Sequence, residues 1–67
     1  MIEVLLNGER RQLEAGTGVL ELLRELGYAG KRVAVERNGE IVPRSRHAQT
    51  PLQGGDRIEI VVAVGGG

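Results

Sequence analysis

The sequence has no cysteine, tryptophan or phenylalanine, and only one tyrosine, two prolines and one lysine. Without cysteine there is no disulfide to staple the fold and no thiolate to hold zinc. With Tyr28 as the sole aromatic residue there is no platform on which bases could stack, which argues against a nucleic-acid partner. Nine basic and nine acidic residues leave a formal net charge of zero, without the basic excess of a general nucleic-acid binder. No apolar run approaches the ~20 residues that cross a bilayer. No basic region leads into an apolar stretch at the start, so no secretory signal is visible and the expected location is the cytosol, away from membranes.

What is present is 67 residues, enough for one domain. Ordering such a chain costs about 1.5 kcal/mol per residue, so nearly every aliphatic side chain must serve one core. Little is left for a deep catalytic pocket. The charge is unevenly spread: residues 31–46 hold five bases (Lys31, Arg32, Arg37, Arg44, Arg46) against two acids (Glu36, Glu40). A solvated face is the plain account of that segment. A docking patch for an acidic partner is the sharper one.

Residues 1–14 read as a hairpin. Ile2, Val4 and Leu6 alternate with Glu3 and Leu5, the period of a strand with one buried face. Asn7-Gly8 then marks a tight two-residue turn, because both positions tolerate positive φ. Residues 9–14 return as a more polar strand at or near an edge. Gly16-Thr17-Gly18 breaks the strand, and residues 19–26 follow as a helix. Val19, Leu22, Leu23 and Leu26 share its apolar face, and either Thr17 or Gly18 can cap it. If Gly18 is the cap, Glu21 can reach back to the cap amide. Gly27 ends the helix.

Residues 32–37 form a third strand and Asn38-Gly39 a second tight turn. Ile41-Val42 gives a short fourth strand, stopped by Pro43, and residues 44–53 read as irregular. Residues 57–64 are the last strand and the most apolar. One face carries Ile58, Ile60, Val62 and Val64; the other changes from Arg57 and Glu59 to Val61 and Ala63. A strand apolar on both sides belongs in the middle of a sheet. It is expected to lie beside the first strand and parallel to it. The fold class is therefore α+β, with one helix laid across a mixed sheet of about five strands. The domain is expected over residues 1–64, with 65–67 as a flexible glycine tail.

Few residues suggest catalysis. Gly16-Thr17-Gly18 begins like a dinucleotide loop, but Glu21 stands where the third glycine is needed. His47 is the sole histidine, in a stretch expected to be solvated, without the partners of a nucleophilic relay. Glu21 and Glu25 fall on the outer face of the helix, as solvating acids do. Metal ligands are not clustered, so no metal site is expected. The remaining feature is Val64-Gly65-Gly66-Gly67. It is either a frayed end or cloning scar, or a thin probe without side chains. As a probe it could enter a channel too narrow for any β-carbon and present the carboxylate of Gly67. The apolar turn of the last strand beside it suggests a docking patch of Val61, Ala63 and Val64, with Arg44 adding a charged contact.

A small α+β domain ending in Gly66-Gly67 resembles the ubiquitin-like β-grasp sulfur carriers, and among them the thiamin-biosynthesis sulfur carriers (ThiS). The resemblance spans the chain and rests on an ordered set: Asn7-Gly8, Ala15-Gly16, Glu21-Leu22-Leu23, Ile41-Val42-Pro43-Arg44, Ala48-Gln49, Gly55-Asp56 and the terminal glycines. Gly18 departs from it, since a threonine often caps the helix there. The resemblance implies a protein co-substrate rather than an enzyme, with no bound cofactor. An E1-like adenylyltransferase (ThiF type) would use ATP to adenylate the Gly67 carboxylate. A persulfide sulfur donor would convert it to a thiocarboxylate, and thiazole synthase (ThiG type) would accept the sulfur. Gly65 and Gly66 would thread the partners' channels. Three alternatives stay open: a carrier for molybdopterin, tRNA thiolation or cysteine synthesis; a protein modifier ligated through Gly67; or an interaction domain with an inert tail.

Overall fold

The computed structural model describes residues 1–63 of the chain. The elements follow the order β1 (Ile2–Leu6), β2 (Glu9–Leu13), α1 (Val19–Glu25), β3 (Val33–Arg37), β4 (Glu40–Ile41), a 3₁₀ helix (Arg44–Gln49) and β5 (Arg57–Val62). The sheet order is β2-β1-β5-β3-β4, so the last strand lies at the centre, as its two apolar faces indicate. It runs parallel to β1 and antiparallel to β3. The polar β2 lies at one edge.

The two Asn-Gly turns do more than reverse the chain. Asn7 and Asn38 adopt φ of 49° and 53°, each followed by a glycine at 85°, the double positive φ of a two-residue hairpin. Both side chains then reach β5. The Ile60 N–H donates to Asn7 Oδ1 at 2.8 Å, and Asn7 Nδ2 donates to the Ile60 carbonyl at 3.2 Å. On the other side the Arg57 N–H donates to Asn38 Oδ1 at 2.9 Å. The β1–β5 ladder pairs only Leu5 with Arg57 and Leu6 with Ile58. The Asn7 amide carries the pairing on to Ile60.

Helix α1 starts at Gly18, which settles the choice between Thr17 and Gly18 as its cap. The Gly18 N–H donates to Glu21 Oε1 at 2.8 Å, satisfying a donor that the helix leaves open. Glu21 therefore holds the helix start as well as facing solvent. A β-carbon on Gly18 would sit 3.1 Å from the Thr50 carbonyl oxygen, so the backbones approach closely where Val19 N–H bonds that carbonyl. Val19, Leu22 and Leu23 face the sheet and meet Val4, Leu13, Val35, Val42, Leu52, Ile58 and Ile60 in one core. Each fully buried aliphatic side chain stabilises by about 1.5–3 kcal/mol.

Residues 44–49 were expected to be irregular and instead form a 3₁₀ helix. The Arg46 N–H bonds the Pro43 carbonyl at 2.8 Å, and Thr50 Oγ1 donates to the Arg46 carbonyl at 2.7 Å. Its buried residue is His47, 5% exposed, where a solvated histidine was expected. Nε2 lies 3.0 Å from the Val42 carbonyl oxygen. A carbonyl only accepts, so that nitrogen carries the proton, and the bond offsets the cost of burying the ring. The short fourth strand is shifted by one residue from expectation, to Glu40–Ile41. Val42 leaves the strand to enter the core, with its N–H bonded to the Val35 carbonyl at 2.8 Å.

Asp56 ties the loop before β5 to the turn between β3 and β4. Its carboxylate accepts from Arg37 Nε at 2.8 Å, Asn38 Nδ2 at 3.0 Å and the Gln53 N–H at 2.8 Å. Burial alone would raise its pKa. The bonds from Arg37, Gln53 and Asn38, with the Arg37 charge, outweigh burial and hold it below the ordinary carboxylate value. Asp56 thus ionises more readily folded than unfolded. Its ion stabilises the fold above the unfolded value of about 3.9, and this contribution is lost as pH falls through the lowered folded value. Asp56→Asn is expected to cost about 2 kcal/mol at pH 7. The gap to wild type should close progressively below about pH 4, read by urea unfolding across pH.

Candidate functional site

The last described strand, β5, lies at the centre of the sheet. Beyond β5, the Ala63 N–H still donates to the Arg32 carbonyl at 2.9 Å, so the last described residue remains bonded to the loop just before β3. Val64, Gly65, Gly66 and Gly67, all singled out from the sequence, lie outside the described residues.

Helix α1 covers one face of the sheet and the other is open. On β5, Ile58 and Ile60 are buried, whereas Arg57, Glu59 and Val61 are exposed. The register sets what surrounds them. Val61 pairs with Ala34, and Glu59 with Glu36, which in turn pairs with Ile41 across β4. The open face is thus banded. Val61, 65% exposed, and the exposed Ala34 and Ala63 make an apolar zone at the tail root. A row of Glu59, Glu36 and Ile41 follows, then Arg57 beside Leu5 and Arg10. Ile41 is 63% exposed, but Glu36 stands between it and β5.

The structure brings Val61 and Ala63 together and separates Arg44 from them. Arg44 opens the 3₁₀ helix, which packs against α1 on the covered side of the sheet. There it lines a hollow with Tyr28, Lys31, Arg32 and Ala48. Ala34 was not singled out from the sequence. Its signal is its alternation with the inward-facing Val33 and Val35.

Two of the three buried polar side chains, Asp56 and His47, are already engaged within the fold. Asp56 is taken up by Arg37, Asn38 and Gln53, and His47 by the Val42 carbonyl. Among the described residues no three His, Cys, Asp or Glu side chains gather as metal ligands. Among the same residues no helix is long and apolar enough to cross a membrane. What the described site offers is a surface and a direction: an apolar zone at the point where the chain heads toward its last four residues.

Comparison with known proteins adds the family. A sequence model of the ThiS family matches residues 4–67. The chain is 36% identical over 66 residues to the sulfur carrier protein ThiS of Escherichia coli (strain K12), covering 98% of this chain and 100% of that protein. It is 48% identical over 66 residues to the thiazole synthase of Paramagnetospirillum magneticum, covering 98% of this chain but 20% of that protein. The chain therefore spans about a fifth of that relative's length. The crystal structure of the thiamine biosynthesis protein ThiS from Geobacter metallireducens superposes with a TM-score of 0.82 at 32% identity, covering 98% of this chain and 100% of that one. The mixed five-stranded sheet with one helix is the ubiquitin-like β-grasp fold of that structure.

The two faces of β5 predict opposite responses to substitution. Val61→Lys is expected to change stability by less than about 0.5 kcal/mol, as at an exposed site. Ile60→Ala should cost about 2–4 kcal/mol through the cavity it leaves in the core. Chemical unfolding of the two variants checks this; a large cost for Val61→Lys would mean that the open face is covered.

Proposed function

The chain belongs to the ThiS family, and from that premise we propose that it is a sulfur carrier in thiamin biosynthesis, with the carboxylate of Gly67 as its reactive group. The observation that carries the reading is similarity to a sulfur carrier over 98% of this chain and 100% of that protein, together with a central strand that ends at Val62, three residues before Gly65-Gly66-Gly67 in sequence.

The chemistry follows from the carboxylate. Ionised at pH 7, it is a poor electrophile. An E1-like adenylyltransferase of the ThiF type would let a Gly67 oxygen attack the α-phosphorus of ATP, with pyrophosphate leaving. The acyl carbon of the resulting adenylate then accepts a persulfide sulfur and AMP leaves. A thiol cleaves the acyl disulfide, and the terminal sulfur stays on Gly67 as a thiocarboxylate. Thiazole synthase is the proposed acceptor. The relative of that name that carries a stretch similar to this whole chain supports the pairing.

In this scheme the domain, residues 1–64, is recognised and the tail, 65–67, is inserted. Gly65 and Gly66 suit a channel that excludes β-carbons. Val61 and Ala63, with Val64 next in sequence, are the proposed apolar contact with partners, and Arg44 a charged contact on the other side of the sheet. The chain itself contributes no catalytic group and binds no cofactor; ATP is consumed by the activating enzyme. The cytosol, where ATP is available, is the proposed location.

Incubation with ATP, a ThiF-type enzyme and a persulfide donor, followed by intact mass measurement, tests the reading. Replacement of one oxygen by sulfur on Gly67 is the expected result. Under the same conditions Ala63→Glu should raise the KM for the carrier by about tenfold, roughly 1.4 kcal/mol of lost contact, with an unchanged unfolding midpoint. No mass change with active partner enzymes, or a Gly67–lysine amide in its place, would contradict the carrier reading.

A further inference from the structure

Three bases of the segment noted in the sequence, Lys31, Arg32 and Arg44, stand around one hollow, while Arg37 pairs with Asp56. Between the end of α1, the loop before β3 and the 3₁₀ helix lies a cavity of about 270 Å³. Leu20, Leu23 and Val33 give it an apolar lining, and Tyr28 supplies an aromatic wall. Lys31, Arg32 and Arg44 stand around it, all exposed. The lining contains no acidic residue. Among the described residues the one ion pair of the molecule is Arg37 with Asp56, so none of these three cations lies within 4.0 Å of a carboxylate.

This arrangement is unlike a solvated face. Solvating cations spread apart or interleave with acids, whereas these three share one concavity with hydrophobic walls. Like charges so placed repel one another, and an anionic occupant relieves that repulsion. The volume falls just below the range of typical small-molecule and cofactor pockets and suits a single side chain. The hollow also adjoins the tail root, because Arg32 lends its carbonyl to the Ala63 N–H at 2.9 Å.

We propose that this hollow docks an acidic segment of a partner protein, with one aliphatic side chain seated between Leu20, Leu23 and Tyr28 and flanking carboxylates paired with Lys31, Arg32 and Arg44. Such a segment binds on the helix-covered side of the sheet, apart from the apolar zone around Val61. A partner using both would straddle the root of the tail from two sides. Only that consequence rests on the carrier reading; the binding does not.

The test is an amide NMR titration of the isotopically labelled full chain with the peptide acetyl-Glu-Asp-Leu-Asp-Glu-amide. Shifts are expected to concentrate in residues 20–33 and 44–48 and to shrink with added salt. Lys31→Glu with Arg44→Glu should weaken binding by about tenfold or more while the spectrum stays dispersed. Arg10→Glu with Arg11→Glu, on the distant β2 edge, should leave it within about twofold. An absence of shifts, or shifts scattered over all basic residues, would overturn the proposal. So would equal shifts with inorganic phosphate alone, which would make this a small-anion site. Loss of sulfur loading with peptide binding intact would instead count against the carrier reading alone.

Discussion

Strand β5 is gripped from both sides by the side chains of two turn asparagines, and most of the molecule is arranged around that grip. The β1 hairpin turns away after Leu6, which would leave the parallel ladder two residue pairs long. Asn7 extends it by offering Ile60 a side-chain amide in place of another peptide group. Asn38 does the same for the start of β5 from the antiparallel side, and its Nδ2 joins the Asp56 cluster. The central strand is thereby held over its length by backbone bonds and by two residues whose positive φ also makes the turns. The two part-buried bonds at Asn7 satisfy peptide groups of Ile60 that the short β1 ladder does not reach, adding to what the buried apolar side chains of β5 supply.

From the position of β5 follow the two surfaces proposed as contacts. Among the described residues, α1, seven residues long, and the 3₁₀ helix packed against it cover one side of the sheet. The inward row of β5 fills the core, and the outward row remains exposed even where it is apolar. That places Val61 and Ala63 in solvent at the root of the tail. On the covered side, the helix and the 3₁₀ helix pack together and leave the basic hollow between them and the loop before β3. The same loop bonds Ala63, so both surfaces meet near the last described residue.

Several regular elements were legible because they carry a clear period or turn signal. The apolar face of α1, the alternation in β1 and β3, and the two Asn-Gly turns all correspond to what is found. The central place of β5 was legible from its second apolar face. The 3₁₀ helix was not, because six residues with one buried side chain show no periodicity. His47 looked solvated for the same reason: its burial depends on a carbonyl at Val42, which the chain brings close only by leaving β4 one residue early. The second role of the asparagines was hidden because it joins residues 53 positions apart for Asn7 and 19 for Asn38, distances over which local pattern carries nothing. At the candidate site, Val61 and Ala63 were found on one face as their alternation implies. Arg44 fell on the opposite side, since its direction is set by the 3₁₀ helix. The clustering of Lys31, Arg32 and Arg44 needed the fold itself, because the first and the last stand thirteen positions apart.

A chain of 67 residues spends its aliphatic side chains on holding one helix against one sheet, and the chemistry proposed for it needs no more than a rigid exit and a reactive last residue. The most direct measurement of that account follows the sulfur itself. The chain is loaded with isotopically labelled sulfur, purified, and given to thiazole synthase with the remaining thiazole precursors. The account predicts that the label leaves Gly67 and appears in the thiazole, one atom per carrier consumed. Label that stays on the chain while unlabelled thiazole forms would contradict it.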